Sequence, residues 1–339
     1  MSFLPVGKLR AEALQAVFDR HPLKDPRVVV GPRIGEDAAV LDVGDRYLVA
    51  TTDPITFATA DLAWYAVHVN ANDVAVRGAR PRWLLTTILL PAGGASEESA
   101  AALVEEIAQV CAEIDVSVVG GHTEVTHGLD HAVVVGTMLG EVAKDRLVTT
   151  AGAQVGDAVV MTKGVPLEGA AIIAREKETE LLARGVPLAV VRKAKALLRA
   201  PGISVLPEAE IACEVGAVHA MHDATEGGIA TALREIADAA GVGLRIDRER
   251  IMTLPEGARL CAAFGLDPLG TIASGCLLIT LPPADAGLVL HALAREGIDC
   301  HFIGQVVPRG EGVTLVEANV PRAMPVFAQD EITRIFGGG

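Results

Sequence analysis

Apolar runs in the first half of the chain predict a sheet accompanied by two helices. Alternating or continuous apolar residues, the pattern of strands, occur at Ala38–Val43, Tyr47–Thr52, Trp83–Leu90, Val116–Gly120 and Ala132–Leu139. One helix is predicted between an N-cap at Asp61 and the breakers Gly78 and Pro81, and another from Ser96 to about Glu113. This order lacks the strict alternation of a doubly wound parallel sheet. It predicts an α+β layer with its helices on one face, and a dimer would bury the other face.

The second half of the chain predicts a separate domain in which helices and strands alternate. After a short linker, Gly152–Gly156, the run Asp157–Thr162 predicts an opening strand. Later elements are helices near Pro166–Lys177, Leu188–Leu198, Gly228–Ala240 and Ala284–Glu296, and strands near Gly243–Ile246, Gly275–Leu281 and Phe302–Val307. We therefore divide the chain into an N-terminal domain over 1–150, a C-terminal α/β-type domain over 151–318 and a tail over 319–339.

The first two strands flank Asp42-Val43-Gly44-Asp45, whose composition is typical of a tight turn, so they are predicted to form a hairpin. Asp37 precedes the first strand and Asp53 ends the second. Antiparallel pairing then brings both carboxylates to the same end of the sheet. Two carboxylates this close repel each other unless a cation lies between them. Asp42 and Asp45, at the opposite end, are interpreted as turn residues.

The helix after Asp61 carries a polar stripe on an otherwise apolar surface. Asn70, Asp73 and Arg77 follow the spacing i, i+3, i+7 and are expected to share one face. Polar groups on so apolar a helix need partners elsewhere in the fold.

The net charge argues against polyanionic partners. Among 339 residues there are 43 Asp and Glu against 29 Lys and Arg, a formal net charge of −14. Nucleic acid and anionic membranes bind basic surfaces that displace counterions, so neither is an expected partner. No apolar run reaches the length of about 18 residues that a membrane span needs. Met1 to Arg10 lack a secretory apolar region and the five cysteines are scattered, so we expect a soluble, cytoplasmic protein with reduced thiols.

A histidine-rich segment leaves several interpretations open. Gly120 and Gly121 precede His122-Thr123-Glu124, and His127 and His131 follow. One interpretation is a glycine turn that faces phosphate, with His122 or Glu124 near a metal. Another is a zinc hydrolase centred on His122, His127 and His131, with His122 and Glu124 on one face of a strand. The spacing is not His-Glu-x-x-His, and an ordinary loop is the third interpretation.

The stretch His222-Asp223-Ala224-Thr225-Glu226-Gly227-Gly228 follows an apolar run and opens a predicted helix. Thr225 is a candidate N-cap, and glycines at a helix start also admit phosphate. The sequence contains no Gly-x-x-x-x-Gly-Lys-Ser/Thr loop, no Gly-x-Gly-x-x-Gly turn and no kinase His-Arg-Asp set, so any nucleotide is bound in a less common way. Candidate cations for phosphate are Lys8, Arg33, Arg77, Arg80, Arg146 and Lys163.

Together these motifs resemble the aminoimidazole ribonucleotide (AIR) synthetase superfamily, which includes hydrogenase maturation factors of the HypE type, thiamine monophosphate kinase and selenophosphate synthetase. The matching stretches in the first half are Gly35-Glu36-Asp37-Ala38-Ala39-Val40, Thr52-Asp53, Asn72-Asp73-Val74-Ala75, Gly78-Ala79-Arg80-Pro81 and Gly120-Gly121-His122-Thr123. In the second half, the stretch from Asp223 to Gly228 and Leu266-Asp267-Pro268-Leu269 are most similar to the hydrogenase-maturation branch. The resemblance runs from Gly7 to about Val307.

The resemblance implies a two-domain AIR synthase-like fold whose N-terminal sheet completes a barrel across a homodimer, with ATP and Mg²⁺ bound between the domains. It implies that Asp37 and Asp53 are catalytic and that the metal ligands are Asp37, Asp53, Asp73 and Asp223. The residues it assigns to the nucleotide are Gly35, Asn70, Gly120, Gly121, His122, Thr123, Lys163, Asp223 and Glu226. At His122 the chain departs from members that carry Asp there.

The activity implied is Mg²⁺-dependent use of ATP to phosphorylate, or to activate and dehydrate, a small-molecule or carried amide or carbonyl group. The HypE type carries its substrate on a C-terminal cysteine, whereas this chain ends Ile335-Phe336-Gly337-Gly338-Gly339. Dehydration of a protein-bound carbamoyl group therefore does not follow from the resemblance. The alternative from a different class is a dimer that binds ATP as a regulatory or maturation scaffold, without chemistry.

Overall fold

The chain forms two compact units in a computed structural model that describes residues 6–9 and 11–336. The smaller unit comprises Asp25–Gly31 and Asp37–Leu147, and the larger unit comprises Met1–Lys24, Pro32–Glu36 and Val148–Gly339. The sequence Gly35-Glu36-Asp37 is therefore divided, because its first two residues belong to the larger unit and Asp37 to the smaller. Helix α1 (Ala11–Phe18) is part of the larger unit.

A six-stranded sheet forms the smaller unit. Its elements in chain order are β1 (Val28–Val30), β2 (Ala39–Asp42), β3 (Arg46–Ile55), α2 (Leu62–Ala75), β4 (Arg80–Pro91), α3 (Glu97–Glu113), β5 (Ser117–Thr126) and β6 (Val133–Ala143). The strands lie in the order β1-β2-β3-β6-β4-β5; β4 and β5 pair in parallel and the other neighbours are antiparallel. Helix α2 packs against β3, β4 and β6, and α3 packs against α2 and β5. The predicted mixture of helices and strands is confirmed.

Helix α2 packs closely on β6 because glycines occupy the contact. A Cβ atom at Gly136 would collide with the side-chain amide of Asn70, and one at Gly140 would collide with Val74. Along β6 every second residue is buried, the pattern of a strand with one covered face. The short distance between helix and sheet lets polar groups of α2 reach the backbone of neighbouring strands.

The ends of these two helices only partly follow the prediction. Asp61 occupies the N-cap of α2, but its backbone is left-handed, with φ 55°, and its side chain makes no capping hydrogen bond. The helix ends at Ala75, so Arg77 lies just beyond it. Ser96 caps α3 as predicted, because its hydroxyl accepts a hydrogen bond from the N–H of Ser99 at 3.2 Å.

A seven-stranded sheet forms the centre of the larger unit. The elements that follow are β7 (Ala158–Thr162), α4 (Leu167–Glu176), α5 (Glu178–Ala183), α6 (Leu188–Ala196), α7 (Leu206–Val215), β8 (Ala220–Asp223), α8 (Gly228–Ala240), β9 (Gly243–Asp247), α9 (Pro255–Phe264), β10 (Leu277–Leu281), α10 (Pro283–Arg295), β11 (Cys300–Val307), β12 (Val313–Glu317), β13 (Val320–Ala323) and α11 (Thr333–Phe336). The strand order is β13-β12-β9-β11-β7-β10-β8, in which β12 and β9 are parallel. The prediction of alternating helices and strands holds only in part, because four helices, α4 to α7, follow β7 in succession. Most neighbouring strands are antiparallel, unlike a sheet built from parallel crossovers.

The core of the larger unit lies around the central strands. Strands β7, β8 and β10 are buried along their whole length, as expected for strands covered on both faces. Helix α8 contributes Ile229, Leu233 and Ile236 to a cluster that includes Met161 of β7 and Leu278 of β10. Burial of such aliphatic side chains stabilises the fold by about 1.5–3 kcal/mol each.

The segment predicted as a tail packs onto the larger unit. Strand β13 pairs with β12, and Ile332 is fully buried. The ring of Phe327 lies directly against Gly270, where a Cβ atom would collide with it. The final residues, 337–339, lie outside the described part of the chain.

Candidate functional site

Acidic residues of the smaller unit come together at one end of its sheet. Strands β2 and β3 pair with Ala39 opposite Ala50. This register confirms the predicted hairpin and brings Asp37 and Asp53 to the same end of it. Asp53 does not end its strand, because pairing with β6 continues to Ile55.

Asn70 fixes the position of Asp53. Its side-chain oxygen accepts a hydrogen bond from the backbone N–H of Asp53 at 3.0 Å. Its amide nitrogen donates to the carbonyl of Ala66 at 2.8 Å and to the carbonyl of Asp53 at 3.4 Å. Because Asn70 is fully buried, these contacts tie α2 to the backbone of β3 at Asp53.

Asp73, on the same helix, is buried beside the other two carboxylates. The hydroxyl of Thr51 lies 2.7 Å from Asp73 Oδ2 and 3.0 Å from the carbonyl oxygen of Asp37, and donates to one of them at a time. Burial, followed by the charges of Asp53 and Asp37, raises the pKa of Asp73 well above its ordinary value. The Thr51 hydrogen bond opposes this shift only in part.

Arg77 balances one charge of the group. Its guanidinium is fully buried and donates to Asp37 Oδ2 at 2.9 Å. The predicted stripe of Asn70, Asp73 and Arg77 thus faces the carboxylate end of the hairpin, although Arg77 follows the helix. The Arg77 guanidinium thus compensates Asp37, whereas Asp73 is the acid whose pKa is raised by burial and by its neighbours.

Carboxylate oxygens are the ligands that Mg²⁺ prefers, and protein sites for Mg²⁺ commonly use one or two of them together with waters and substrate phosphates. Such a site does not require protein side chains to supply all of the metal ligands. Among the described residues, no group of three or more His, Cys, Asp or Glu side chains is arranged to hold a metal ion by itself. The chemistry of this corner therefore suits a cation that arrives together with a phosphate ligand.

The glycine pair before His122 does not form the predicted turn. Gly120 and Gly121 lie inside β5, with φ 159° and 157°, at a shift in the register with β4. A Cβ atom at Gly121 would collide with the backbone of Thr86. Glycine is required here because the two strands approach so closely. The prediction of a turn at this pair is wrong, and its assignment to the nucleotide stays a prediction.

His122 and Glu124 share one face of β5, as the strand interpretation predicted. Their side chains lie 2.9 Å apart, between His122 Nε2 and Glu124 Oε2, and both are exposed to solvent. His127 follows the end of the strand. Within the described ranges, these residues do not form a group able to hold a metal ion, so the structure gives the zinc hydrolase alternative no support.

Gly35 and Glu36 serve the packing of the larger unit. Gly35 has φ 79°, and a Cβ atom there would meet the carbonyl oxygen of Glu235 on α8 at 2.7 Å. The carboxylate of Glu36 accepts hydrogen bonds from the N–H groups of Thr150 and Ala151, at 3.4 and 3.2 Å. The assignment of Gly35 to a nucleotide stays a prediction.

Lys163 is buried after β7 with its ammonium already engaged. It forms an ion pair with Glu208 at 2.6 Å and donates to the carbonyls of Gly202, at 3.1 Å, and Ser204. Both Lys163 and Glu208 are almost fully buried. A phosphate would have to compete with these partners for the ammonium.

The segment from Asp223 to Gly228 joins β8 to α8. Asp223 is buried, and its Oδ1 accepts a hydrogen bond from the N–H of Gly275 at 3.2 Å. The N-cap of α8 is Gly227, with φ 80°, so the prediction that Thr225 caps this helix is wrong. The chain turns through a left-handed conformation at Gly227, which glycine adopts without strain.

Sequence reasoning missed several polar residues that the fold buries. Thr51 bridges Asp73 and Asp37, while Glu168 and Asp330 are buried in the larger unit. Glu168 could have been singled out from the sequence, because it is an acidic residue in the first turn of an apolar helix, where the helix N-terminus favours an anion. Asp330 gave no local signal in the sequence.

The chain belongs to the AIR synthase related protein family. The N-terminal domain of that family matches residues 35–142 and the C-terminal domain matches residues 154–317. It is 28% identical over 97% of both chains to a putative hydrogenase expression/formation protein from Methanocaldococcus jannaschii. It is 30% identical to a carbamoyl dehydratase HypE from Cupriavidus necator, covering 90% of this chain and 84% of that one.

Solved structures with the same fold include hydrogenase maturation protein HypE in complex with ATP. That structure covers 97% of this chain and 98% of its own, at 25% identity and a TM-score of 0.71. A structure titled AaThiL complexed with AMPPCP and TMP covers 95% of this chain and 99% of its own, at 20% identity and a TM-score of 0.72. At 20% identity, the similarity to the AaThiL structure shows a shared fold alone.

No helix among the described residues has the length and apolar character needed to cross a bilayer.

Proposed function

We propose that this protein is a Mg²⁺-dependent enzyme that uses ATP to phosphorylate, or to activate and dehydrate, an amide or carbonyl group on a small or carried acceptor. In this proposal a domain over 1–150 binds ATP and dimerises, and a domain over 151–318 completes the enzyme. The observation that carries the proposal is the convergence of Asp37, Asp53 and Asp73, with the pKa of Asp73 raised by burial and by its two neighbours.

A divalent cation relieves the repulsion that this arrangement creates. Asp53 and Asp73 would hold Mg²⁺, whose charge would favour their ionised forms and offset the charge of the phosphate groups of ATP. The metal would supply charge stabilisation at the transferring phosphoryl group. The protein's own contribution is to hold the carboxylates in place, through Asn70 for Asp53 and Thr51 for Asp73. Asp223 is the further ligand proposed from the larger unit.

Relatives support the use of ATP. The family contains a HypE protein solved in complex with ATP, and a protein of the same fold was solved with AMPPCP. A carbamoyl dehydratase is among the relatives with 30% identity. Both phosphoryl transfer and ATP-dependent dehydration begin with ATP and a metal beside the acceptor, so a carboxylate corner suits either reaction.

Calorimetric titration with a non-hydrolysable ATP analogue, with and without Mg²⁺, tests the proposal. We expect Mg²⁺-dependent binding that weakens about tenfold or more in Asp53→Asn, because a charged metal ligand is lost. Asp45→Asn is the matched control, since Asp45 lies at the opposite end of the hairpin and pairs with exposed Arg46. Mg²⁺-independent binding, or equal binding by both variants, would contradict the proposal. Product formed from ATP and an acceptor distinguishes an enzyme from a non-catalytic scaffold.

We also propose a homodimer formed through β5. This strand is an edge of its sheet, and Val118, Val119 and Val125 on it are exposed. An unpaired edge with apolar side chains readily pairs with another copy, which would complete a barrel from two sheets. Light scattering coupled to gel filtration should show a dimer for the natural chain and a monomer for Val119→Lys. A monomeric natural chain at micromolar concentration would reject this assignment.

A further inference from the structure

A cleft lies wholly within the larger unit, on residues that the proposed function does not use. Its volume is about 610 Å³, within the range of about 300–1,000 Å³ that is usual for sites of small molecules. The lining comes from the turn after β9, from α10 and from the start of β11, and includes Glu249, Arg250, Leu290 and Phe302.

Asp247 holds the two charged residues of this cleft in place. It ends β9 and caps the short 3₁₀ turn Arg248–Arg250. Its Oδ1 accepts a hydrogen bond from the backbone N–H of Glu249 at 3.0 Å, and its Oδ2 accepts one from Nε of Arg250 at 3.1 Å. The Arg250 guanidinium also lies over the ring of Phe302, 5.4 Å from its centre. Because these contacts fix the turn and the guanidinium in advance, less conformational freedom is lost when a ligand binds.

The outer ends of both charged side chains can still bind a ligand. In the described part of the chain, Arg250 donates through Nε, and its two terminal nitrogens have no hydrogen-bond partner. The Glu249 carboxylate has no partner among the same residues. The two terminal nitrogens of a guanidinium can bind both oxygens of one carboxylate, and a carboxylate such as that of Glu249 accepts from an ammonium.

The remaining walls of the cleft are largely apolar and firmly held. They include Met252, Leu290 and Phe302. The carbonyl of Met252 accepts a hydrogen bond from the N–H of Val165 at 2.9 Å. The thiol of Cys300 donates to the carbonyl of Leu290 at 3.5 Å, which joins the start of β11 to α10. Burial raises the pKa of the Cys300 thiol, so this wall carries no thiolate charge at neutral pH.

We infer that the cleft binds a free α-amino acid with a large apolar side chain. The carboxylate of the ligand binds the terminal nitrogens of Arg250, and its ammonium binds the carboxylate of Glu249. The apolar side chain then contacts Met252, Leu290 and Phe302. A ligand that carries only one of the two charges would face one like charge in the cleft and leave the opposite one without a partner.

The lining favours this ligand over a metal ion or a polyphosphate. Within the described ranges, no group of three or more His, Cys, Asp or Glu side chains, such as Glu249, Cys300 and His301, is arranged to hold a metal ion. Arg250 is the only Lys or Arg that lines the cleft among the described residues, and Glu249 offsets its charge. A polyphosphate requires more positive charge than this pair provides.

Calorimetric titration of the full chain with L-phenylalanine at neutral pH tests the inference. We expect binding, and binding at least about tenfold weaker for hydrocinnamate, which lacks the ammonium, and for phenethylamine, which lacks the carboxylate. L-Serine keeps both charges but has little apolar surface, so it should also bind at least about tenfold more weakly. Absence of phenylalanine binding, or equal binding of phenylalanine and hydrocinnamate, would overturn the inference.

Variants locate the binding in this cleft. Arg250→Gln and Glu249→Gln should each weaken phenylalanine binding about tenfold or more, because each removes one of the two charges. Arg245→Gln is the matched control, since Arg245 is an exposed arginine of the same unit that pairs with Glu311 at 2.6 Å and does not line the cleft. It should bind phenylalanine like the natural chain.

The thermal unfolding midpoint of each variant verifies that it folds. Glu249→Gln removes no side-chain contact within the described residues, so it keeps the test decisive if Arg250→Gln is unstable. Full phenylalanine binding by the cleft variants that fold, or an equal loss in Arg245→Gln, would contradict the inference. Neither ATP nor Mg²⁺ takes part in these titrations, so their outcome is independent of the proposed function.

Discussion

The side-chain oxygen of Asn70 accepts a hydrogen bond from the backbone N–H of Asp53 at 3.0 Å, and this bond joins helix α2 to strand β3 at an acidic residue. The contact depends on Gly136, because any larger residue there would collide with the Asn70 amide. Asn70 was identified from its place on a polar stripe and assigned to the nucleotide. Its amide is occupied by backbone groups of Asp53 and Ala66, and its assignment to the nucleotide stays a prediction.

Asn70→Ala should destabilise the protein. The change removes the acceptor for the partly buried Asp53 N–H, at a cost of about 1–3 kcal/mol. Urea unfolding gives the difference in free energy. Gln109→Ala, on the solvent side of α3, is the control and should change stability by less than about 0.5 kcal/mol. Equal stability of the two variants would show that the Asn70 contacts contribute little.

Asp73→Asn should change stability and ligand binding in opposite directions. A raised folded-state pKa means that protonated Asp73 favours folding, and this contribution is lost as the pH rises through the folded pKa. Asparagine keeps the shape and removes the charge, so above neutral pH the variant without ligand should be more stable than the natural chain. The Mg²⁺-dependent binding of the ATP analogue should be weaker.

Unfolding by urea at pH 5 and pH 8, combined with calorimetry, checks both effects of Asp73→Asn. The gain in stability should be larger at pH 8. A variant that is less stable at both pH values would contradict the interpretation of Asp73 as a repelled, buried acid.

Glu168→Gln should flatten the dependence of stability on pH. The pKa of Glu168 is raised from the ordinary 4.5 to about 7, mainly by burial. Its stabilising contribution is fully present below pH 4.5 and is lost as the pH rises through about 7, roughly 3 kcal/mol in all. The natural chain should therefore lose stability between pH 5 and pH 8, and the variant should lose less. Chemical unfolding across this range measures the slope, and Glu296→Gln should keep the natural one.

Gly121→Ala should disrupt the pairing of β4 and β5. Gly121 has φ 157°, and a Cβ atom would collide with the backbone of Thr86, so a loss of several kcal/mol or failure to fold is expected. Gly287→Ala is a control that should change the stability in the opposite direction. Gly287 lies within α10 with no atom near its missing Cβ, so alanine should stabilise the helix by about 0.5–1 kcal/mol. The thermal unfolding midpoints of both variants, each compared with that of the natural chain, test the two expectations.

Local patterns predicted much of the secondary structure. Strands β2 to β6 of the smaller unit, the hairpin at Asp42–Asp45 and the capping of α3 by Ser96 follow from alternation, turn composition and capping preference. Helix α8 was predicted with its observed bounds, Gly228–Ala240. Short elements such as β1 and α5 were not predicted, because a few residues carry too little periodicity.

The glycine pair at Gly120 shows where such reasoning fails. Adjacent glycines are a common signal for a turn, and the sequence reasoning read them so. In the fold they allow β5 to lie against Thr86 of β4, a requirement set by a strand more than thirty residues earlier. The local sequence cannot show which residue of a distant strand leaves no room for a side chain at a glycine position.

The sequence by itself determined that Asp37 and Asp53 share one end of a hairpin, because strand periodicity and turn position fix the register of neighbouring strands. Only the tertiary structure decided that Asp73 is buried against them, that Lys163 is paired with Glu208, and that Glu168 lies buried among other acids. These relationships join residues far apart in the chain. They depend on how helices and sheets pack, and burial in that packing, rather than residue type, sets the charge state of each group.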